Sequence, residues 1–190
     1  MSRSSRTVKI TALLPSCLTP ADMISALHVH DNCLTLQALT TGYREVPTTG
    51  PTVLSDPYFS PTDTAPIKTY EVTEGVIIIP GIGDWGKKFI TFPVWFQDTP
   101  TGLKTRADGP AGVVVRAEWR VQPGVAHGEV EGEGDRYMQW TLLEDVTVQC
   151  AWWLISFVKK SVEHAHRDIC RKLVEKMERE KRAGAASQVS

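Results

Sequence analysis

One histidine of this sequence lies where an apolar pattern predicts the interior of the protein. Between residues 152 and 182, apolar residues recur at the i, i+3, i+4 and i+7 spacing of an amphipathic helix. His166 falls in the middle of that apolar stripe, whereas His164 falls on the charged face. An imidazole that faces an apolar cavity is a candidate general acid or base, because its pKa is near neutrality and burial would shift it. The alternative is a core histidine whose ring is held by a hydrogen bond.

Three polar residues of the predicted strands are further catalytic candidates. Tyr70 and Glu74 share a strand face with alternating apolar residues, and Arg106 shares a face with Asp108. A glutamate in an apolar pocket has a raised pKa and can move a proton at neutral pH. Each of these residues is alternatively a rim or surface group. We therefore expect His166 to carry the chemistry, with Tyr70, Glu74 and Arg106 in support.

The sequence contains six tryptophans, which is a large aromatic complement for 190 residues. Tryptophans on strand faces directed toward the long helix would give a cavity large, flat, apolar walls that suit a fused-ring or polyene ligand. Alternatively, they simply fill the core. The predicted cavity lining consists of Trp85, Trp95, Trp119 and Trp140 from the sheet and Val162 and Ile169 from the helix.

The motifs predict neither a cofactor nor a metal. The run Gly81-Ile-Gly-Asp-Trp-Gly-Lys87 has the spacing of a phosphate-binding glycine loop, but the residues after it alternate as a strand where such a loop requires a helix. We expect a turn at the cavity rim, where Trp85 leans over a ligand. His28 and His30 stand two apart and diverge on a helix, as do the two histidines of the long helix, so neither pair is a metal clamp.

The composition excludes several classes of partner. The formal net charge is -1, so no bulk electrostatic attraction draws the protein to nucleic acid or anionic lipid. No apolar run approaches the roughly 18 residues of a membrane helix, and the N-terminus does not resemble a secretory signal. Four cysteines without CxxC spacing indicate reduced thiols. We expect a cytoplasmic protein with a small hydrophobic ligand, no nucleic-acid partner and no integral membrane segment, whose oligomeric state the sequence leaves open.

The order of elements predicts a single α+β domain. After a first strand at residues 6–13, Thr19 is a good N-cap, Pro20 fits the first helical position and Asp22 lies in the first turn. A second short helix follows, and then a meander with hairpin turns. The predicted sheet has about six or seven antiparallel strands, curved around the long helix. The other strands are predicted at residues 39–46, 68–79, 88–97, 102–107, 112–122 and 137–149. Residues 6–183 form the expected domain, with disordered tails at 1–5 and 184–190.

Two loops interrupt this order. Residues 47–66 are rich in proline, and long connections without secondary structure in compact domains are often functional lids. This loop is a candidate gate to the cavity, or alternatively a floppy insertion. Residues 128–135 are acidic and rich in glycine, which predicts an exposed loop within the last hairpin.

This order of elements resembles the START-like helix-grip superfamily, also called SRPBCC, which includes ligand carriers, lipid-transfer domains and polyketide cyclases. More closely, the sequence resembles an uncharacterised fungal family found in secondary-metabolite gene clusters. The matching motifs are Leu27-His-Val-His-Asp31, Leu103-Lys-Thr105 before Gly112, Glu144-Asp-Val-Thr-Val-Gln-Cys150, Ser156-Phe-Val-Lys-Lys160 and Ala165-His166. The resemblance implies a fold and a ligand class.

Two main functions are compatible with these observations. The first is a cofactor-independent cyclase, isomerase or dehydratase that acts on a polyketide-like or terpenoid-like intermediate, with His166 moving a proton. The second is a noncatalytic carrier of a lipid or another small molecule. A third, less favoured function is a regulatory interaction domain that uses the charged C-terminal helix.

Overall fold

A seven-stranded antiparallel sheet wraps a long C-terminal helix. The protein is represented by a computed structural model, which describes residues 2–49, 51–59, 65–77, 87–124 and 139–187. The strands in the described ranges are β1 (Arg3–Leu13), β2 (Thr40–Val46), β3 (Lys68–Ile77), β4 (Lys87–Thr99), β5 (Gly102–Asp108), β6 (Val114–Gly124) and β7 (Gln139–Ala151). The helices are α1 (Pro20–His28), α2 (His30–Leu36), α3 (Pro51–Leu54) and α4 (Ile155–Ser187).

The strand order is β1-β7-β6-β5-β4-β3-β2, with every neighbouring pair antiparallel. The predicted helix-grip architecture is therefore confirmed: a curved antiparallel sheet, two short helices after the first strand, and one long helix. No helix in the described ranges is long and apolar enough to cross a membrane.

The long helix differs from its prediction at both ends. It begins at Ile155, three residues later than expected, because residues 152–154 form a turn. It continues past Gly184 to Ser187, where it was expected to end in a disordered tail. Alanines at 183, 185 and 186 are strong helix formers and offset the cost of one glycine, and the Ser187 hydroxyl donates to the Ala183 carbonyl.

Polar contacts with α1 and α2 hold the C-terminal half of α4 in place. Thr19 and Asp22 form the predicted cap of α1 as a reciprocal capping box. Bonds from Thr19 and Lys181 lower the pKa of Asp22 to about 2. Lys181 reaches Asp22 at 2.9 Å, and Lys176 donates to the Asn32 side chain at 2.6 Å. These contacts fasten the C-terminal half of α4 to α1 and α2.

The period of two along the strands divides the sheet into an inner face, which packs against α4, and an outer face. Alternate residues of β6 and β7, such as Ala117, Trp119, Leu142 and Val146, belong to the main apolar core together with Leu173 of α4. Charged residues such as Arg116, Glu118 and Asp145 occupy outer positions between them. The inner face is therefore the side on which a ligand would meet both sheet and helix.

The described part of the proline-rich loop packs on the outer face. Asp56 binds Arg106 and Arg116, at 2.5 and 3.1 Å, and the Tyr58 hydroxyl donates to the Ala117 carbonyl at 2.7 Å. Phe59 is buried there as well. The described residues of this loop therefore do not form the expected gate to the interior, because arginines at outward strand positions hold them against the other face. Residues 60–64 of the loop, the predicted turn at Gly81–Gly86 and the predicted loop at residues 128–135 lie outside the described ranges.

Candidate functional site

A fully buried carboxylate on the inner face organises the strongest candidate site. Glu144 of β7 is 0% exposed and stands opposite Trp119 of β6 in the strand register. Its Oε1 accepts hydrogen bonds from the Trp119 indole and from Nδ1 of His166, the latter at 2.5 Å. Its Oε2 accepts from the Cys170 thiol at 3.3 Å. We call Glu144, Trp119, His166 and Cys170 the Glu144 cluster.

The local geometry of three elements brings this cluster together. Residues four apart on a helix lie on the same face, so α4 presents His166 and Cys170 one turn apart. The alternation of β6 and β7 directs Trp119 and Glu144 to the inner face, between apolar neighbours two residues away. A buried carboxylate requires donors to compensate its lost hydration, and this cluster supplies three.

The electrostatic environment favours a charged His166. Burial alone would lower the pKa of His166, but the charge and hydrogen bond of Glu144, with the charge of Glu74, raise it above its ordinary value. Burial raises the pKa of Glu74, against the opposing effect of His166. The structure thus brings His166 and Glu74, two predicted catalytic residues, into electrostatic contact. Glu144 and His166 form a buried ion pair with a second carboxylate nearby.

The Cys170 thiol acts in this cluster as a hydrogen-bond donor. Burial raises the pKa of Cys170, and the neighbouring Glu144 raises it further. Burial also raises the pKa of Cys33, which lies in the same core. Because the thiolate is the nucleophilic form, these raised pKa values make both cysteines poor nucleophiles.

The two ring nitrogens of His166 differ in their surroundings. Glu144 occupies Nδ1, whereas Nε2 has no hydrogen bond to a described residue, and the His166 side chain keeps 15% of its surface exposed. Other inner-face side chains are also only partly buried, namely Glu74, Phe92, Ala107, Val115 and Val162. The inner face therefore has a partly exposed, mostly apolar surface, on which His166 and Glu74 are near enough to shift each other's pKa.

The other predicted catalytic residues lie elsewhere. Tyr70 points to the inner face but belongs to a second cluster, in which His30 binds the Tyr70 hydroxyl through Nδ1 at 3.0 Å and Asp98 through Nε2 at 2.8 Å. Arg106 lies on the outer face, where it binds Asp108 and Asp56. Its position alternates with the inward residues of β5. Contrary to our expectation, Arg106 therefore does not lie beside His166.

The predicted cavity tryptophans divide between the two faces. Trp119 and Trp140 contribute to the inner core, as do Val162 and Ile169 of α4. Trp95, contrary to expectation, lies on the outer face, because its neighbours Val94 and Phe96 point inward and the Arg106 guanidinium stacks 5.5 Å from its ring centroid. Trp85 lies outside the described residues.

An open groove of about 290 Å³ lies between β1 and α4, and Cys170 of the Glu144 cluster is part of its lining. Ile10 and Val174 supply apolar lining, whereas Arg167 and Arg171 lie at the same groove and pair with acids of their own helix. Its charged groups are thus already engaged, and the inner face is the better candidate site. Within the described ranges, no three His, Cys, Asp or Glu side chains are arranged to hold a metal ion.

Glu144 is the central residue that the sequence reasoning missed. Its signal was present: Leu142, Glu144, Val146 and Val148 occupy alternate positions of one strand, so the glutamate interrupts an apolar face. A carboxylate at an inward strand position requires a buried partner, and His166 was the histidine predicted to face inward.

Comparisons with known proteins agree on the fold. The model of a family described as "Domain of unknown function (DUF7053)" matches residues 3–179. No curated protein matches the sequence. Among solved structures, TTHA0849 from Thermus thermophilus aligns at 11% identity with a TM-score of 0.53, over 90% of this chain and 97% of that one. Ara h 8.0201 aligns at 12% identity with a TM-score of 0.51, over 90% of this chain and 99% of that one. At such low identity the likeness shows the fold alone.

Proposed function

The chain belongs to the family described as a domain of unknown function (DUF7053), and from this premise we propose that it binds a small hydrophobic molecule against the inner face of the sheet and catalyses a proton-transfer reaction on it. The substrate class is a polyketide-like or terpenoid-like intermediate. The reaction is a cyclisation, isomerisation or dehydration without a cofactor. The resemblance to families of fungal secondary-metabolite clusters supports this class, and four free cysteines support a cytoplasmic location.

The observation that carries the proposal is the orientation of His166. Glu144 binds Nδ1 at 2.5 Å, so the ring is fixed and Nε2 points away from its anchor. A carboxylate that holds one imidazole nitrogen orients the ring and stabilises the imidazolium form, which leaves the other nitrogen to exchange protons with a substrate. A buried pair held by two further donors is more elaborate than packing requires, because apolar residues would fill the same space at no electrostatic cost.

Two polar groups of the inner face, His166 and Glu74, divide the chemistry. The imidazolium donates the Nε2 proton to a carbonyl oxygen or a departing hydroxyl of the substrate. Glu74, in its ionised form, accepts a proton from the adjacent carbon, so the total number of protons in the site is unchanged and the proton returns to His166 in the next step. Exclusion of water by the apolar walls strengthens both interactions. The walls also fold the substrate into a reactive conformer.

The alternative function is a noncatalytic carrier. The partly buried side chains of Phe92, Val115 and Val162 give the inner face an apolar surface that a lipid or terpenoid would cover without any reaction. In a carrier, the Glu144 and His166 pair would bind one polar group of the cargo. The two functions therefore differ in what the loss of His166 changes.

The first experiment identifies the ligand. Native mass spectrometry of the purified protein, followed by denaturing extraction, is expected to reveal a copurifying hydrophobic compound. A protein that carries no compound and does not bind a hydrophobic fluorescent probe in solution would contradict the proposed site and favour an interaction domain whose interior is filled by its own side chains.

The second experiment separates enzyme from carrier. With the identified compound or its precursors, His166→Ala is expected to lower turnover by about 10²–10⁴-fold, the usual contribution of a general acid or base, with little change in affinity. His164→Ala is the matched control, because His164 is exposed on the same helix. A variant that changes affinity alone, while no conversion is seen with the wild type, would establish the carrier.

A further inference from the structure

Four aromatic side chains of the described residues are more than half exposed, and all four lie at one end of the sheet. Trp152 (64% exposed) and Trp153 (60%) directly follow β7, Phe157 (72%) lies in the first turn of α4, and Phe89 (63%) is the third residue of β4. In the antiparallel register, the last residues of β7 and the first residues of β4 lie at the same end of the sheet. Phe89 lies on the outer face of the sheet, as Trp95 does, so we call Trp152, Trp153 and Phe157 the aromatic end.

The opposite end of the sheet carries the two short helices. There the His28 Nε2 donates to the carbonyls of Thr99 and Gly102 in the β4-β5 turn, and the Leu14 amide bonds to the Trp140 carbonyl. The two ends therefore differ in chemistry: one is covered by α1 and α2, and the other displays aromatic rings.

The charge around the aromatic end is positive, although the chain as a whole carries -1. Residues 152–162 include Lys159 and Lys160 and no acidic residue, although Lys159 lies 4.0 Å from Glu163 one turn farther along α4. The first turn of α4 likewise lacks an acid, so the positive end of the helix dipole is not neutralised there. Arg3, the first residue of β1, lies at the same end of the sheet, opposite Ala151 in the strand register. This local positive field complements an anionic surface.

The exposed rings are not required to close the core beneath them. Ile155 is buried, and Val158 and Val162 pack with it against Val148 and Cys150 in a separate small apolar cluster. Phe157 projects from the other side of the same turns. The start of α4 thus has two apolar sides, one packed on the sheet and the other directed outward.

We propose that the aromatic end docks on the surface of an anionic phospholipid membrane. Tryptophan is enriched at the boundary between lipid headgroups and hydrocarbon, where its apolar ring and polar N–H are both satisfied. Aromatic insertion combined with lysine attraction supplies the two signals that stable peripheral attachment requires. An apolar protein partner fits less well, because it would desolvate both lysines. The role of docking rests on the proposed function: it would let a hydrophobic ligand pass between bilayer and interior.

The test is binding of the full-length protein to phosphatidylcholine vesicles with and without phosphatidylserine, measured by cosedimentation at low salt. The triple change Trp152→Ser, Trp153→Ser, Phe157→Ser is expected to weaken binding at least about a hundredfold, because large apolar surfaces lose their lipid contact. Lys160→Ala is expected to weaken binding about fivefold, and only when phosphatidylserine is present. Leu13→Ser, Val29→Ser is the matched control, because these side chains are 55% and 53% exposed at the opposite end, where β1 ends and α1 meets α2.

The outcomes separate docking from ligand binding. In solution, the triple variant is expected to bind anilinonaphthalene sulfonate as the wild type does, which shows an intact fold and interior. Wild-type protein that binds this probe but not the vesicles overturns docking and leaves the proposed function standing. Vesicle binding that the triple change does not weaken also overturns it. A wild-type dimer that the triple change dissociates overturns it too, since a second copy would then cover the rings.

Discussion

His166 and His30 both bind a carboxylate within the core region, yet their pKa values shift in opposite directions. His166 binds Glu144 at 2.5 Å and His30 binds Asp98 at 2.8 Å. The pKa of His166 is raised above its ordinary value, whereas that of His30 is lowered. Burial acts in the same direction on both rings, so the difference lies in the charges that surround them.

The surroundings of the two carboxylates explain the contrast. Glu144 is completely buried and Glu74 adds a second negative charge near His166, so together they outweigh burial. At His30, burial dominates: Asp98 is 29% exposed and therefore screened by water, and the charges of Lys68 and His28 oppose it. A single carboxylate partner therefore does not by itself raise the pKa of a buried imidazole. The direction of the shift depends on how deeply the carboxylate is buried and on the other charges nearby.

The His30 cluster and the Glu144 cluster therefore have different roles. A neutral His30 must donate from Nε2 to the Asp98 carboxylate, which only accepts, and accept at Nδ1 from the Tyr70 hydroxyl. Its ring also packs 4.7 Å from that of Phe96. This satisfied arrangement fastens α2 to β3 and β4. His166 has a raised pKa and its Nε2 has no hydrogen bond to a described residue, so it is instead placed to give up a proton.

The largest effect in this comparison is expected from Glu144→Gln. The change removes the charge from a buried ion pair and places an amide group among three donors, so it should lower the free energy of unfolding by about 3 kcal/mol. The value lies at the low end for broken buried pairs because His166 can lose its proton. Chemical denaturation at neutral pH measures the loss.

A companion variant tests whether the pair exists for stability. Glu144→Leu combined with His166→Leu should be more stable than Glu144→Gln, because buried ion pairs replaced by apolar residues of similar size often cost little. A double variant that is less stable than the single one would mean that the cluster is structural, and would weaken the case for a catalytic His166.

The equivalent acid-to-amide change in the second cluster should have a smaller effect. Asp98→Asn leaves an amide oxygen that can still accept from the neutral His30, so the free energy of unfolding should fall by only about 1 kcal/mol. Denaturation under the same conditions as for Glu144→Gln measures it. A loss equal to that of Glu144→Gln would show that His30 is charged in the folded protein and that the contrast between the clusters is wrong.

The sequence predicted the helices and strands that carry the site better than it predicted which side chains bind each other there. The apolar stripe of α4 placed His166 correctly on the inward side, since the helical period fixes a residue's face once the core side is known. The N-cap of α1 was also predicted from Thr19, because capping is a local interaction, and the structure adds the reciprocal bond from Asp22. Local spacing thus predicted both the face of one helix and the start of another.

Long-range pairing limited the rest. The pairing of Glu144 with His166 joins residues 22 apart on different elements, and it depends on how α4 lies across β7. For Trp95 and Arg106 the period of two gave two faces but not which face meets the helix. The position of the proline-rich loop was likewise set by Asp56, which reaches Arg106 fifty residues away.

The smallest expected effect is on the pH dependence of stability, and it tests the opposite signs directly. His166 has a raised folded pKa, so its contribution is fully present below its unfolded value of about 6.5 and is lost as the pH rises through the folded pKa. His30 has a lowered pKa, so the unfolded state binds more protons below about 6.5 and stability falls as the pH falls toward the folded pKa.

Denaturation from about pH 5 to 9 should therefore show that His166→Gln flattens the decline on the alkaline side, whereas His30→Gln flattens the decline on the acid side. Proton NMR titration of the ring resonances should give a midpoint above 6.5 for His166 and below it for His30. His164→Gln controls for the loss of a histidine as such, since that residue is exposed on α4. If both rings titrate on the same side of 6.5, the buried Glu144 and the nearby Glu74 do not distinguish His166 from His30, and the proton donor proposed for the inner face is lost with that distinction.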